Sequence, residues 1–247
     1  MRILSLFSGT GSVDKVAKEM GHEVVSLDIS DRYNPTYVSD ILDFNFSLWP
    51  PGYWDCIFAS PPCDSYSIAP SHMFDKEQRA KRANEANAVT RRTLEVIQYL
   101  QPKYYVVENP ATSLIWKQGI FDELPGVMFK KVSYCMYSDW GYRKNTTLAT
   151  NIDFVLKICR GDCGYVHQIK DAQGKIRFLH QSVAKQGVSQ HTKGLGVQQT
   201  THKRWELWRV PGKLIGDILE ATEEQNNMQE DQNLNGVTPL MQSVDVS

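Results

Sequence analysis

The chain of 247 residues is long enough for one sizeable α/β domain with a small appendage, and it is short for two full domains. Its 41% hydrophobic and 22% charged residues exclude collagen-like, fully disordered and coiled-coil proteins. The net charge of −1 includes five acidic residues in the segment 222–247, which has no Lys or Arg, so the remainder is mildly basic. This balance is compatible with a nucleic-acid partner, but many enzymes share it, so charge alone identifies no function.

The sequence predicts neither export nor membrane insertion. No stretch approaches the roughly 18 consecutive apolar residues that a membrane span needs. Residues 1–4 lead straight into a predicted strand, which argues against a signal peptide. The five cysteines are odd in number and sparse, unlike a disulfide framework. We therefore expect a protein of a reducing, cytoplasmic compartment that is neither secreted nor bound to a membrane.

The first thirty residues predict a strand, a glycine turn, a helix and a second strand. An apolar run over residues 3–7 stops at the turn 8–12, whose Ser12 is predicted to cap a helix over 13–20. A second apolar run ends at Asp28. This order is typical of the start of a doubly wound βαβ unit, which binds ligands at the carboxyl ends of its strands.

Further elements complete the predicted sheet. A buried strand over 54–59 is followed by a helix over 75–100 and by a strand over 104–107. Two later runs, 129–137 and 146–149, are typical of the antiparallel strands that complete such a sheet. The predicted fold class is therefore α/β, with a doubly wound, mostly parallel sheet.

A change of composition after the last predicted strand defines the domain boundaries. Residues 152–202 are rich in Gly, Gln, His and Lys and show little apolar periodicity, which predicts a small irregular insert. Apolar order returns in 203–221, where Pro211 is predicted to start a closing helix. One domain thus combines 1–151 with 203–221, and the Gln/Asn/Glu-rich segment 222–247 is predicted to be a disordered acidic tail.

The first candidate site is the turn Phe7-Ser8-Gly9-Thr10-Gly11, together with Asp28. Glycines let the backbone approach a ligand closely, and a carboxylate after the second strand can accept hydrogen bonds from ribose hydroxyls. Only Gly-x-Gly is present, without the third glycine of a dinucleotide fingerprint. A nucleoside-type ligand such as S-adenosylmethionine is therefore as compatible with the turn as NAD, and a plain strand-to-helix turn is the structural alternative.

Two further motifs lie at the ends of predicted strands. In the Ser-Pro-Pro-Cys motif 60–63, two prolines fix a rigid turn that would hold the Cys63 thiol over the sheet edge, where a thiolate is a nucleophile. In the Glu-Asn-Pro motif 108–110, Glu108 falls on the same edge, and an acid there could protonate a ring nitrogen during attack on the adjacent carbon. Singly, Cys63 could be an inert thiol and Glu108 a surface acid; three motifs on one edge favour a site.

The insert contains a candidate metal site. Cys159, Cys163 and His167, with His180 further on, have ligand types and a rough spacing suited to structural Zn2+. A small segment with little core would gain stability from such a metal. The spacing differs from the familiar Cys-x2-Cys, and two free thiols with surface histidines are the alternative.

These motifs resemble those of the C5-cytosine DNA methyltransferase family, in particular the short forms of phages and large viruses. The turn 7–11 resembles the family's S-adenosylmethionine loop, 60–63 its Pro-Cys nucleophile motif, and 108–110 its Glu-Asn motif. The segment 142–144 lies where the family has a basic Arg-x-Arg, and 209–215 resembles the closing motif. The resemblance covers about residues 1–150 and 203–220, with the motifs in the family's order.

The resemblance implies a Rossmann-like enzyme that transfers a methyl group from S-adenosylmethionine to C5 of cytosine in double-stranded DNA, with the base flipped out of the duplex. It implies Cys63 as the nucleophile at C6, Glu108 as the acid at N3 and Arg143 as a contact to the base or its phosphate. It further implies target recognition by the insert 152–202, and a monomer in the cytoplasm of a bacterial or virus-infected cell. The cofactor-binding residues it implies are Phe7, Gly9, Thr10, Gly11, Asp28, Ile29, Asp40, Ile41 and Pro61.

Departures from the family pattern keep other substrates open. The Arg-x-Arg segment is reduced to Arg143-Lys144, so one contact is weaker or comes from elsewhere. Asp28 replaces the Glu that is common in the family and reaches less far toward a ribose. The insert is short where larger members have a whole domain, so RNA, a free cytidine nucleotide or a modified cofactor stays possible.

Two other functions are weighed against a C5 methyltransferase. Exocyclic-amine methyltransferases have a similar Ser-Pro-Pro turn, but an aromatic residue that stacks on the base follows it, and Cys63 in that place argues against them. A non-catalytic, regulatory DNA-binding protein on this scaffold needs neither Cys63 nor Glu108. The presence of both residues favours an enzyme.

Overall fold

The computed structural model describes residues 1–63, 75–170, 173–183, 198–199 and 203–234. Its strands and helices are β1 Arg2–Leu6, α1 Ser12–Glu19, β2 Glu23–Asp28, β3 Tyr37–Val38, β4 Cys56–Ala59, α2 Lys76–Leu100, β5 Tyr104–Pro110, β6 Met128–Ser133, β7 Asn145–Thr150, β8 Val166–Lys170, β9 Ile176–His180, β10 Ser182–Val183, β11 Gln198–Gln199 and α3 Gly212–Leu234. Among these residues, no helix combines the length and the apolar character needed to cross a membrane.

Seven strands form one sheet in the order β3-β2-β1-β4-β5-β7-β6. Neighbouring strands from β3 to β5 pair in parallel, whereas β7 runs antiparallel to both β5 and β6. Because parallel strands share one carboxyl edge, the segments that follow β1, β2, β4 and β5 meet there. The predicted doubly wound, mostly parallel α/β fold is confirmed.

Helices cover both faces of this sheet. Successive residues of β1 point to opposite faces, so Ile3 packs with α1 and α3 while Leu4 packs with α2. All four residues of β4 are buried, as expected for a strand with helices on both sides. Each fully buried Leu or Ile contributes about 1.5–3 kcal/mol, and this two-sided core holds the strand ends in place.

The structure refines the start of α1. Gly11, in the left-handed region with φ 70°, occupies the N-cap position, and the helix begins at Ser12. Ser12 is therefore not the cap that the sequence predicts; its hydroxyl lies 2.9 Å from Thr10 Oγ1 instead. The left-handed turn at Gly11 lets the chain leave β1 and enter the helix within a few residues.

Part of the insert is regular. β8 and β9 pair as an antiparallel hairpin in which His167 lies opposite Leu179. The prediction of an irregular insert is thus wrong for this hairpin, because its short strands Val-His-Gln-Ile-Lys and Ile-Arg-Phe-Leu-His lack the polar and apolar alternation that would reveal them. Gln198 and Gln199 pair in parallel with Ser182 and Val183, and the rest of 184–202 lies outside the described residues.

The disorder predicted for 222–247 is wrong for residues 222–234, which continue α3. Thr222 is fully buried, and its hydroxyl donates to the Ile218 carbonyl. Gln225 Nε2 donates to the Asp153 carbonyl at 2.7 Å, and Lys103 Nζ donates to Asn226. Burial of Thr222 and these side-chain contacts stabilise a segment whose composition is polar but rich in good helix formers. Residues 235–247 lie outside the described chain.

Ending the chain after Ala221 is expected to lower the melting temperature. The truncation removes buried Thr222 and the contact, 3.6 Å long, between His22 Nε2 and Glu223 Oε1. A loss of one to two kcal/mol corresponds to roughly 2–8 °C for a chain of this size. Differential scanning calorimetry measures the change, with Glu224→Ala, which alters an exposed side chain, as the control. An unchanged melting temperature would show that this part of α3 adds no stability.

Candidate active site

A glycine turn follows β1 at the carboxyl edge of the sheet. Phe7, Gly9 and Gly11 have φ angles of 58°, 50° and 70°. Phenylalanine rarely adopts this conformation, so the turn is strained where Phe7 borders a cavity. The Gly11 N–H donates to the Ser8 carbonyl at 2.8 Å, and the N-terminus of α1 follows at once.

The carboxylate of Asp28 joins this turn to the end of β2. Oδ2 accepts a hydrogen bond from the Gly9 N–H at 2.8 Å, and Oδ1 accepts one from the Ser30 N–H at 2.9 Å. Each carboxylate oxygen has two lone pairs, so each can also accept a bond from a ligand hydroxyl. Ile29 is 70% exposed and offers an apolar surface beside this polar group.

One cavity of about 400 Å3 collects six of the nine residues expected to bind the cofactor: Phe7, Gly9, Thr10, Asp28, Ile29 and Pro61. Gly11, Asp40 and Ile41 do not line it. Asp40 Oδ1 accepts the Leu42 N–H at 2.9 Å within its own turn. Ile41 is only 3% exposed and packs in the core, because the chain turns inward soon after the two-residue strand β3. The structure thus places these three residues outside the lining of the cavity: Gly11 and Asp40 belong to turns, and Ile41 belongs to the core.

The Ser-Pro-Pro-Cys turn follows β4 on the same edge. Cys63 is partly buried and lines the cavity. Asn109 Nδ2 donates to the Pro61 carbonyl at 2.8 Å and so ties this turn to the end of β5. Asn109 Oδ1 is buried and has no hydrogen-bond partner among the described residues. This hydrogen bond thus connects the two motifs at the ends of β4 and β5, and Asn109 Oδ1 remains available to accept a hydrogen bond.

Glu108 lies in the same cavity and is only 5% exposed. Its Oε1 accepts a hydrogen bond from the Tyr134 hydroxyl at 2.9 Å. Burial and the neighbouring Glu108 carboxylate raise the pKa of Tyr134 well above its usual value. Tyr134 therefore keeps its proton and remains a donor, which fixes the orientation of the Glu108 carboxyl group.

The structure separates Arg143 from the cavity and brings Lys144 to it. Arg143 is exposed, and its Nε donates to Asn145 Oδ1 at 2.9 Å. Lys144 lines the cavity, and its Nζ donates to the Leu207 carbonyl at 3.2 Å. Consecutive side chains of an extended chain point in opposite directions, so only one of these neighbours can face the cavity. The structure therefore places Lys144, and not Arg143, at the cavity, and a contact of Arg143 to a phosphate stays a prediction.

Sequence reasoning missed three residues around this cavity. Tyr134 does not line the cavity but contacts Glu108, which does, and Lys144 lines it directly. Both positions depend on the folding of β6 and β7 onto β5. Trp208 lines the cavity and is 61% exposed. In the sequence, the pair Trp205 and Trp208 shortly before Pro211 could have indicated an aromatic contact at the site. A large aromatic side chain left exposed at a cavity is typical of a ligand-binding surface.

A second group of reactive side chains lies apart from this cavity. Cys135, Cys159, Cys163 and His180 place one ligand atom each within 4.8 Å of one another. Three of the predicted metal ligands therefore come together, but His167 is not among them. The register of β8 and β9 explains the difference, since His180 pairs with Val166 whereas His167 lies one step further along the hairpin. Cys135, from the 3-10 turn Tyr134–Met136 after β6, takes the fourth place.

No protein-family model matches the chain. Among solved structures, a methyltransferase of Entamoeba histolytica is 19% identical with a TM-score of 0.47, covering 64% of this chain and 55% of that one. The Dnmt2 methyltransferase of S. pombe is 13% identical with a TM-score of 0.43, covering 63% of this chain and 51% of its own. This chain thus spans about half the length of these solved proteins.

A viral relative is much more similar in sequence. A protein of Frog virus 3 (isolate Goorha) with the name "Probable DNA (cytosine-5)-methyltransferase" is 34% identical over 229 residues. The alignment covers 89% of this chain and 99% of the relative. With this identity over nearly the whole of both proteins, the chain belongs to the DNA (cytosine-5)-methyltransferase family.

Proposed function

We propose that the protein transfers a methyl group from S-adenosylmethionine to C5 of cytosine in DNA. The observation that carries this proposal is a single cavity lined by the glycine turn with Asp28, by Cys63 and by Glu108. A nucleoside-binding edge, a nucleophile and an acid are the three elements that this reaction requires. The name of the viral relative supports DNA as the substrate.

The cavity fits S-adenosylmethionine in size and in chemistry. Its volume of about 400 Å3 lies within the usual range of cofactor sites. We expect Asp28 to accept hydrogen bonds from the ribose hydroxyls, and Phe7 and Ile29 to contact the adenine. When bound, S-adenosylmethionine supplies a methyl group on an electrophilic sulfonium sulfur.

Cytosine C5 becomes nucleophilic once C6 has been attacked. In the proposed reaction the Cys63 thiolate forms a bond to C6 while Glu108 gives a proton to N3, so the electron pair of the C5–C6 double bond becomes available at C5. C5 then takes the methyl group, and the sulfonium sulfur that loses it becomes a neutral thioether. Loss of the C5 proton to solvent breaks the bond between Cys63 and C6 and restores the double bond, and N3 returns its proton to Glu108.

Two hydrogen bonds keep these groups in position for the reaction. The bond from Tyr134 to Glu108 Oε1 leaves Oε2 as the atom for the base N3. The bond from Asn109 to the Pro61 carbonyl holds the turn that carries Cys63. Since both bonds are buried, the two reacting groups are oriented before the substrate arrives.

The base must leave the duplex to reach this cavity, at a cost of a few kcal/mol. Lys144 and Trp208 border the cavity, and we assign them to the extruded nucleotide: Trp208 through stacking and Lys144 through its charge. The insert 152–202 is assigned to face the DNA, and the domain formed by 1–151 and 203–221 to perform the chemistry. The protein is proposed to act as a monomer in the cytoplasm.

A product analysis tests the proposal. Purified protein is incubated with S-adenosylmethionine carrying an isotopic methyl label and with duplex DNA, and the DNA is digested to nucleosides for mass spectrometry. Labelled 5-methylcytosine is the expected product. Parallel reactions with RNA and with free cytidine nucleotides identify a different substrate. Label on the exocyclic nitrogen, or none on any substrate while the cofactor binds, would overturn the proposal.

Asp28→Ala is expected to weaken the binding of S-adenosylmethionine. The change removes the acceptor for the ribose and the bonds to the N–H groups of Gly9 and Ser30, so the dissociation constant is expected to rise roughly tenfold to a hundredfold. Isothermal titration calorimetry measures it. Asp40→Ala, which removes a carboxylate outside the cavity, is the matched control and is expected to change the constant less than about twofold. Equal effects of the two changes would contradict the assignment of Asp28.

A further inference from the structure

We propose that Cys135, Cys159, Cys163 and His180 bind a structural zinc ion that fastens the β8–β9 hairpin to the edge of the catalytic sheet. These four side chains lie outside the cavity and take no part in the proposed reaction. The inference is therefore independent of methyl transfer, and its test does not require an active enzyme.

The distances between the four ligand atoms fit a tetrahedral ion. All of them lie within 4.8 Å of one another. His180 Nε2 is 3.5 Å from Cys159 Sγ and 3.3 Å from Cys163 Sγ. Bond lengths of 2.3 Å to sulfur and about 2.0–2.1 Å to nitrogen give a sulfur–nitrogen edge of about 3.6 Å and a sulfur–sulfur edge of about 3.8 Å. Small side-chain adjustments therefore suffice to complete the site.

The chemistry of the donor set selects zinc. Three thiols and one imidazole form a Cys3His set, which is typical of closed structural zinc sites and leaves no position open for a substrate. Cys135 and Cys159 are almost completely buried, at 2% and 3% exposure. All three cysteines are free thiols and not disulfide-bonded. Three reduced thiols beside one imidazole, two of the thiols being buried, form a set of ligands available to a metal.

The fold supplies a reason for a metal at this place. The ligands come from three separate segments: the turn after β6, the loop that carries Cys159 and Cys163, and the end of β9. β8 and β9 form a sheet of only two strands, in which Ile176 and Phe178 are more than half exposed. A two-stranded hairpin with so little core is marginal alone, and a metal that links it to the sheet would give it a fixed position.

The same ion would connect the insert to the reacting acid. Cys135 follows Tyr134 directly in the chain, and Tyr134 donates to Glu108 at 2.9 Å. A metal bond to Cys135 restrains the backbone of this turn on one side, while the hydrogen bond to Glu108 restrains it on the other. Loss of the metal is thus expected to loosen both the hairpin and the support of Glu108.

Metal analysis of the full chain, purified without chelator under reducing conditions, tests the proposal. We expect about one equivalent of zinc per chain by mass spectrometry of the metal content. After exchange with Co2+, the absorption spectrum is expected to show thiolate-to-cobalt charge transfer and the intense visible bands of tetrahedral coordination. Absence of zinc, together with no tetrahedral cobalt spectrum after reconstitution, overturns the proposal.

Two histidines of the hairpin provide a matched pair of variants. His180→Ala is expected to lose the bound zinc, whereas His167→Ala is expected to retain it, because His167 lies outside the ligand group. Cys135→Ser is expected to behave like His180→Ala. If His167→Ala lost the metal and His180→Ala kept it, the ligand assignment would be wrong.

Thiol labelling of the unmodified protein keeps the test independent of folding in the variants. Alkylation with peptide mapping is expected to leave Cys135, Cys159 and Cys163 unlabelled until a strong chelator is added, whereas Cys63 reacts in both states. Labelling of all three before chelation, or a disulfide between Cys159 and Cys163 in the reduced preparation, would contradict a zinc site.

Discussion

Replacing Cys63 by serine is expected to abolish methyl transfer and covalent capture of DNA. A serine hydroxyl is almost never ionised near neutral pH, so it cannot supply the anion that attacks C6. We expect turnover to fall at least a thousandfold. Cofactor binding is expected to persist, because the backbone of the turn keeps its hydrogen bond from Asn109.

Duplex DNA containing 5-fluorocytosine gives the decisive measurement. Fluorine at C5 prevents loss of the proton, so the active protein is expected to stay attached to the DNA through Cys63 on a denaturing gel. Cys56→Ala is the control, since burial raises the pKa of Cys56 to about 12 and removes it as a nucleophile. An adduct that survives in Cys63→Ser would show that another group attacks the base.

Glu108→Gln is expected to lower the rate by about a hundredfold to ten-thousandfold. The amide has nearly the same shape and its oxygen can still accept the bond from Tyr134, but it cannot transfer a proton to N3. The loss is expected in kcat, with little change in the dissociation constant of S-adenosylmethionine. Single-turnover methylation with saturating cofactor measures it.

Tyr134→Phe separates positioning from proton transfer. It removes one hydrogen bond to Glu108 and leaves the carboxyl group in place, so a smaller fall in kcat, roughly tenfold, is expected. Its adduct with 5-fluorocytosine DNA is expected to form more slowly but to completion. Equal losses in both variants would indicate that Tyr134 has more than a positioning role.

The sequence predicts the parts of the site that a local pattern encodes. The glycine turn and the Pro-Pro-Cys turn follow apolar strands, and Glu108 lies near the end of another. A parallel sheet brings such strand ends to one edge. For this reason the fold and the cavity's main residues could be inferred without coordinates. The family resemblance to C5 methyltransferases is confirmed by the viral relative.

Contacts between residues far apart in the chain could not be predicted from local sequence patterns. Tyr134 is 26 residues from Glu108, and their bond exists only because β6 and β7 fold back onto β5. Cys135 enters the proposed metal-ligand group through the same fold, whereas sequence spacing favoured the nearer His167. The helix over 222–234 was hidden because packing, which composition does not report, stabilises it.

The proposed zinc site would limit how freely residues 152–202, the proposed recognition segment, can be exchanged between relatives. A graft that replaced residues 152–202 would carry away Cys159, Cys163 and His180 and leave Cys135 behind in the host sheet. The incoming segment would then pack beside Cys135, a thiol without its proposed metal, next to Tyr134, which supports Glu108. With the proposed zinc site, the smallest transferable unit would be larger than the insert and would include the turn after β6.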